Sequence, residues 1–313
     1  MKSRTRVMVM IGGLLAVTAA PAVRGQDVDW EAADSAMGRA GHAAGGGVHK
    51  YSMPRTDLEV KVRGVTVRPA LALGSWLAMK PRADGGVVAI GDFVLTQDEV
   101  GPVMSKLQEG GITRTALHNH LLFETPRVMF MHVHGEGSPV AIARSVRAAL
   151  ALTGTPGFGG GGAVSGASGA NVGAASLDTS GIARVLGRAG GWSGGVYKVS
   201  FPRAGPIHSS GIEVLPSMGA GISLGFQPMG EGRAAATGDF VLVGSEVNPV
   251  LAALREHGIL VTALHNHMLF DDPHLFFVHF WGVGDAVQLA RGLRAALEHV
   301  DVAAGAVGTG AGT

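Results

Sequence analysis

The sequence predicts an α+β fold of two tandem homologous domains, each a mainly antiparallel sheet with helices on one face, the two related by a pseudo-two-fold axis. Three observations lead there. First, the chain repeats itself at an offset of 147 residues (118 to 265). Thr115-Ala116-Leu117-His118-Asn119-His120 returns as Thr262-Ala263-Leu264-His265-Asn266-His267, and Gly91-Asp92-Phe93-Val94-Leu95 as Gly238-Asp239-Phe240-Val241-Leu242. A period this long means paired domains, because solenoid units are far shorter. Second, the later part of each copy reads strand, helix, strand, strand, helix, an order that lays helices on one face of a sheet. Third, 313 residues, 46% apolar and 16% charged, are enough for two cores of ordinary size.

The elements follow in order. Residues 1–25 read as a secretory signal: Lys2, Arg4 and Arg6 precede an apolar run over 7–20, too short to span a bilayer, and then small residues suited to cleavage. The first repeat domain is expected over 26–152, a Gly/Ala/Ser-rich linker over 153–175, the second repeat over 176–302 and a flexible tail over 303–313. Each repeat opens with a short helix, 30–37 or 179–186, ended by Gly38 or Gly187. Alternation predicts strands over 58–67 and 87–95, and apolar spacing predicts a helix over 98–109 stopped by Gly110-Gly111. Strands over 112–122 and 127–133, joined by a short turn containing Pro126, precede a helix over 139–152 with proline in its first turn.

On a strand, alternate residues share a face, so His118 and His120 are expected to point one way, with His132 and His134 answering from the neighbouring strand. The second copy repeats this with His265, His267 and His279, while Trp281 replaces His134. A His-x-His pair with a third histidine beside it is a ligand layout for zinc with one open position; His134 would close the first site. Asp92, Glu99, Asp239 and Glu246 are the candidate catalytic or orienting carboxylates, set against turn and helix-capping roles for the same residues. Without a metal, such a cluster can serve as general acid and base or hold an anion. Cysteine is absent, so any metal is held by imidazole, carboxylate or thioether, which favours zinc or copper over iron–sulfur clusters. Met129 and Met131 fall on the opposite face and read as core. Lys50, Arg55, Lys198 and Arg203 read as solvated strand-end charges in preference to an anion site.

Several classes are excluded. A net charge of +1 and no basic stripe argue against nucleic acid, and no phosphate loop, nucleophile elbow or His-Glu-x-x-His helix occurs.

The blocks Gly238 to Leu242, Glu246 to Val250, Thr262 to Phe270, Phe276 to Trp281 and Leu289 to Leu297 resemble the bacterial LppY/LpqO-type exported proteins, a family largely of unknown function. Some of its members are lipoproteins, and this chain lacks the cysteine that would carry the lipid. The expectation is an exported protein, periplasmic or extracellular, with no membrane span after signal cleavage. It would bind a transition metal and act as a metal-dependent hydrolase. The alternative is a non-catalytic module for a cell-envelope small molecule or polymer, a glycan or an anionic chain, with structural histidines.

Overall fold

The computed structural model describes residues 28–159 and 177–303. The expected signal segment, most of the expected linker and nearly all of the expected tail lie outside the described residues. Residues 153–159, assigned to the linker from composition, are packed: Thr153 and Thr155 are buried and bonded to each other, and Phe158 lies against the first core.

In the first half, α1 (Trp30–Met37) starts at Asp29, whose carboxylate accepts from the Ala32 N–H at 2.9 Å, and stops at Gly38, left-handed with φ 77°. Then come β1 (His42–Ala43), β2 (His49–Pro54), β3 (Lys61–Val62), β4 (Val65–Thr66) and the short α2 (Pro69–Ala72). The half is completed by β5 (Gly74–Pro81), β6 (Val87–Thr96), α3 (Gln97–Glu109), β7 (Thr113–His118), β8 (Glu124–Thr125), β9 (Val128–Gly137) and α4 (Pro139–Leu150). The second half retraces this with α5 (Thr179–Leu186), β10 (Gly191–Ser193), β11 (Val196–Pro202), β12 (His208–Ser209), β13 (Ile212–Glu213), β14 (Gly221–Gly230), β15 (Arg233–Leu242), α6 (Gly244–Glu256), β16 (Leu260–His265), β17 (Phe276–Asp285) and α7 (Ala286–Leu297). Each half carries one six-stranded antiparallel sheet, ordered β1-β2-β5-β6-β9-β7 and β10-β11-β14-β15-β17-β16. The α+β architecture of two homologous halves is therefore the observed one.

Two sequence expectations change. The alternating run 58–67 is two short strands, because Arg63 and Gly64 take positive φ (47° and 87°) and turn the chain back on itself. The run 112–122 stays in the sheet only as far as His118, and the connection to β9 is a long loop that carries β8 and pairs with β3. Apolar alternation persisted through both turns, so periodicity alone did not reveal them.

Strand alternation gives each sheet two different faces. On β6, Ala89, Phe93 and Leu95 join Leu77, Met79, Met131 and the helices α1, α3 and α4 in the outer core. The intervening Val88, Ile90, Asp92 and Val94 face the other half. Each half also lays a strap over its partner's sheet. Leu71 of α2 and Leu73 just after it join a cluster with Val196, Ala235 and Trp281, while Val214 and Met218 from the second half pack with Val48, Ala78 and Ile90. Gly225 is the site of close approach, since a Cβ there would stand 3.1 Å from the Leu71 side chain. Polar ties fix both straps: buried Gln227 accepts from the Arg68 N–H and donates to the Thr66 carbonyl, each at 2.8 Å, and its counterpart Lys80 donates to the Glu213 carbonyl at 2.7 Å. No helix among the described residues is long and apolar enough to cross a membrane.

Leu73 is fully buried in the cluster that joins the halves. Leu73→Ala is expected to cost about 2–5 kcal/mol, read as a lower midpoint in denaturant titration of the whole protein.

Candidate metal centre

The edge strand of each sheet delivers its histidines to the interface. In the first half a bulge between Arg114 and Ala116 resets the register, so that Ala116 faces His132 and His118 faces Phe130 across β9. Opposed residues share a face, so His118, Phe130 and His132 all look toward the other half. Asp92, across from His132 on β6, looks the same way. The bulge recurs between Val261 and Ala263, and Asp239 faces His279 as Asp92 faces His132. His120 and His267 lie beyond the strand ends. They reach the same side because the chain folds over, each ring stacking on a phenylalanine of its own half with centroids 3.4 Å apart, His120 on Phe130 and His267 on Phe277.

The six imidazoles meet in one cluster, and the nearest imidazole to each belongs to the opposite half. His118 stacks on His265 at 3.4 Å, His120 on His279 at 3.6 Å and His132 on His267 at 3.7 Å. Within a half the rings stand further apart: His118 to His132 and His265 to His279 are both 4.9 Å. Each His-x-His pair thus places its second ring on the other half's third histidine. The middle asparagine helps to fix this crossing. Asn119 Nδ2 donates to the Thr262 carbonyl at 3.0 Å, and Thr262 Oγ1 donates to the His120 carbonyl at 2.6 Å.

Hydrogen bonding shows which nitrogen three of the rings offer. A carbonyl can only accept, so the Nδ1 of His118, His265 and His279, at 3.1, 3.2 and 3.1 Å from the carbonyls of Asn119, Asn266 and Gly238, carries the proton. Their Nε2 atoms are then free acceptors. The Nε2 of every one of the six histidines is buried without a hydrogen-bond partner, as is one oxygen each of Asp92 and Asp239. Buried polar atoms are nearly always paired, so eight such atoms together could hold a ligand. Two of the resulting sets have metal-binding spacing, with ligand atoms within 4.8 Å of one another: His118, His120, His265 and His267, and Asp92 with His120 and His132. Asp92 lies 3.8 Å from His132 Nε2 and 4.0 Å from His120 Nε2. Both fall under the roughly 4.2 Å that twice an about 2.1 Å bond allows for two donors on one ion. Asp239 Oδ1 sits 2.5 Å from His279 Nδ1 but outside hydrogen-bond geometry, and the Gly238 carbonyl holds that proton.

Burial disfavours the charged form of five of the rings. It lowers His118 to about 4 and His265 to about 2, and holds His120, His132 and His267 well below the usual imidazole value. Burial, with the nearby Asp239 charge, pushes Asp92 well above the carboxylate range, against the opposing effect of Lys50. A neutral imidazole has its lone pair available to a cation, and a cation in turn stabilises the Asp92 carboxylate. A cavity of about 1110 Å³ opens over the cluster and is reached by His120, His132, His267, His279, Asp92 and Asp239.

The other candidates lie apart. His134 does not join the cluster: its Nε2 is 3.0 Å from Glu136 and 3.2 Å from Ser210 Oγ, beside a smaller cavity of about 200 Å³. The expected contrast between a closed first site and an open second one is therefore replaced by a single shared centre. Trp281, at the matching position, is buried under the α2 strap. Glu99 and Glu246 are not among the cavity-lining residues. Glu99 pairs with Arg55 at 2.7 Å and accepts from the Thr96 and Gly154 N–H groups. Glu246 pairs with Arg203 at 2.5 Å and accepts from the Val243 and Asp301 N–H groups. Both carboxylates cap helices and tie them to a buried arginine, so Arg55 and Arg203 are core residues rather than solvated strand-end charges. Sequence reasoning missed the stacking role of Phe130 and Phe277. Their position two residues before His132 and His279, on the same strand face, is the signal that would have found them.

Glu246→Gln would weaken the buried pair with Arg203; a loss of about 3–5 kcal/mol is expected in denaturation, with metal content per folded molecule unchanged. In chelator-treated protein, the depressed histidines make the unfolded chain bind more protons between the folded values and about 6.5. Stability is then full above that pH and falls as the pH is lowered, so the thermal midpoint should drop between pH 7.5 and 5, and less steeply in His120→Gln.

Two solved structures share a low likeness with this chain. A trimeric bacterial microcompartment shell protein, PduB, is 10% identical with a TM-score of 0.23, over 83% of this chain and 89% of that one. EtuB from Clostridium kluyveri is 10% identical with a TM-score of 0.19, over 82% and 90%. No curated protein matches. A family described as Domain of Unknown Function (DUF1259) matches twice, over residues 31–152 and 180–299, once in each half and including the histidines of both, and the chain belongs to that family.

Proposed function

We propose that this protein binds a transition-metal ion, zinc or copper, at one composite centre supplied by both halves, and that it works as an exported, metal-dependent hydrolase. The carrying observation is the set of six buried imidazole Nε2 atoms without partners, converging across the pseudo-two-fold axis with Asp92 and Asp239 beside them. His118, His120, His265 and His267 would hold one ion, and Asp92 with His120 and His132 outlines an alternative or second position. Carbonyl acceptors on Nδ1 orient three of the rings, the usual outer support of imidazole ligands.

A bound zinc ion would supply a water acidic enough to attack an ester or phosphoester near neutral pH. The cavity gives such a substrate access, and the carboxylates that reach it, Asp92 and Asp239, are placed to accept the water's proton. A second reading, a non-catalytic module for a cell-envelope ligand, is favoured by the cavity's size, which exceeds what an ion needs. Hydrolysis of p-nitrophenyl phosphate and p-nitrophenyl acetate by metal-loaded protein separates the two. Export belongs to the same proposal; residues 1–25 and the likeness to LppY/LpqO-type proteins support it.

Protein purified without a histidine tag should carry zinc or copper at a fixed ratio by elemental analysis. Because the ligands are shared between the halves, His120→Ala and His267→Ala should each remove the metal, although they lie in different repeats. A folded wild-type protein that takes up no metal, and whose melting is indifferent to chelators, would sink the proposal.

A further inference from the structure

Two lysines at matching places in the repeat, Lys50 on β2 and Lys198 on β11, line the cavity over the histidine centre. Both occupy the strand face that looks toward the other half, and their register partners, Ala78 and Gly225, are small. They are not the solvated strand-end charges that their sequence context suggests. Lys50 Nζ donates to the Ser217 carbonyl at 2.7 Å and lies 4.4 Å over the Trp76 ring. Lys198 Nζ has no hydrogen-bond or ion-pair partner among the described residues.

We propose that Lys50 and Lys198, one from each half, form a binding pair for a small-molecule oxyanion, and that the substrate or ligand of this cavity carries a phosphate or carboxylate group held between them beside the metal centre. This deepens the metal reading and rests on it for the position of the scissile group. Charge balance supports the assignment. Lys50 and Lys198 line the cavity with two carboxylates, Asp92 and Asp239, of which burial holds Asp92 well above the usual carboxylate range, and a metal ion would add further positive charge. Two desolvated ammonium groups in one cavity repel each other, as the lowering of Lys50 to about 8 by burial and by Lys198 reflects. An anion between them relieves both costs. The aromatic face of Trp76 and the volume of about 1110 Å³ fit an organic molecule that carries the anionic group.

The test is calorimetric titration of inorganic phosphate, and separately of succinate, into metal-loaded and chelator-treated protein, with metal content measured on the same samples. Wild type should bind at least one of the two anions in both forms. Lys198→Gln and Lys50→Gln should each weaken that binding by about tenfold or more, with metal content unchanged, and Lys198→Arg should retain most of it. Lys198→Gln removes no hydrogen bond within the protein, so a folding defect is not expected to confuse the result. Equal anion affinity in wild type and Lys198→Gln, or no binding of either anion to wild type at about 10 mM, overturns the proposal. Anion binding that depends on both lysines in a protein that takes up no metal would refute the metal reading and leave the lysine pair standing.

Discussion

The burial of six imidazole Nε2 atoms between two sheets is the constraint around which the molecule is organised. An imidazole that loses water on both nitrogens needs a partner for each, and here three of the rings have a backbone carbonyl on Nδ1 while all six Nε2 atoms have none. Such a cluster persists only because the surrounding structure holds it. The Phe130 and Phe277 rings stack against His120 and His267, and the Asn119–Thr262–His120 bonds lock one half's loop to the other. A cation at the Nε2 atoms would resolve the unmet polar demand and the depressed protonation together.

Duplication explains how the cluster can be so dense. Within either half the closest imidazoles stand 4.9 Å apart, and the imidazole contacts of 3.4 to 3.7 Å come only from the opposite copy. The exchanged straps around Leu71 and Val214 keep the two inner faces in register, and each strap is also joined to the histidine loop of its own half, through β3 with β8 in the first and the His208–Asp272 bridge in the second. Packing, strap and ligand loop are therefore one mechanical unit. The fully buried arginine Arg55 and its nearly buried counterpart Arg203 belong to that unit as well, because each joins a sheet carbonyl to a helix-capping glutamate, through Val94 and Glu99 or Val241 and Glu246.

Much of this was legible in particular residues. Gly38 and Gly187 mark the end of the first helix of each repeat because left-handed glycines act locally. Strand alternation placed His118 with His132, and Met131 with the core. His120 defeated the same rule: alternation implied that it continued the strand, and it reaches the cluster through a loop instead. Glu99 and Glu246 showed the pattern of acidic residues near a site, yet their partners, Arg55 and Arg203, are 44 and 43 residues away in sequence and could not be paired by inspection.

The chain by itself determined the duplication, the fold class and the identity of the candidate ligands, because repeats, periodicity and residue chemistry are properties of local sequence. Tertiary structure decided that the two histidine sets form one centre, that His134 stands outside it, and that Lys50 and Lys198 share its cavity. These outcomes depend on how two sheets face each other across a pseudo-axis, and that geometry arises from apolar contacts summed over the straps and inner faces, with no short stretch of sequence to record it.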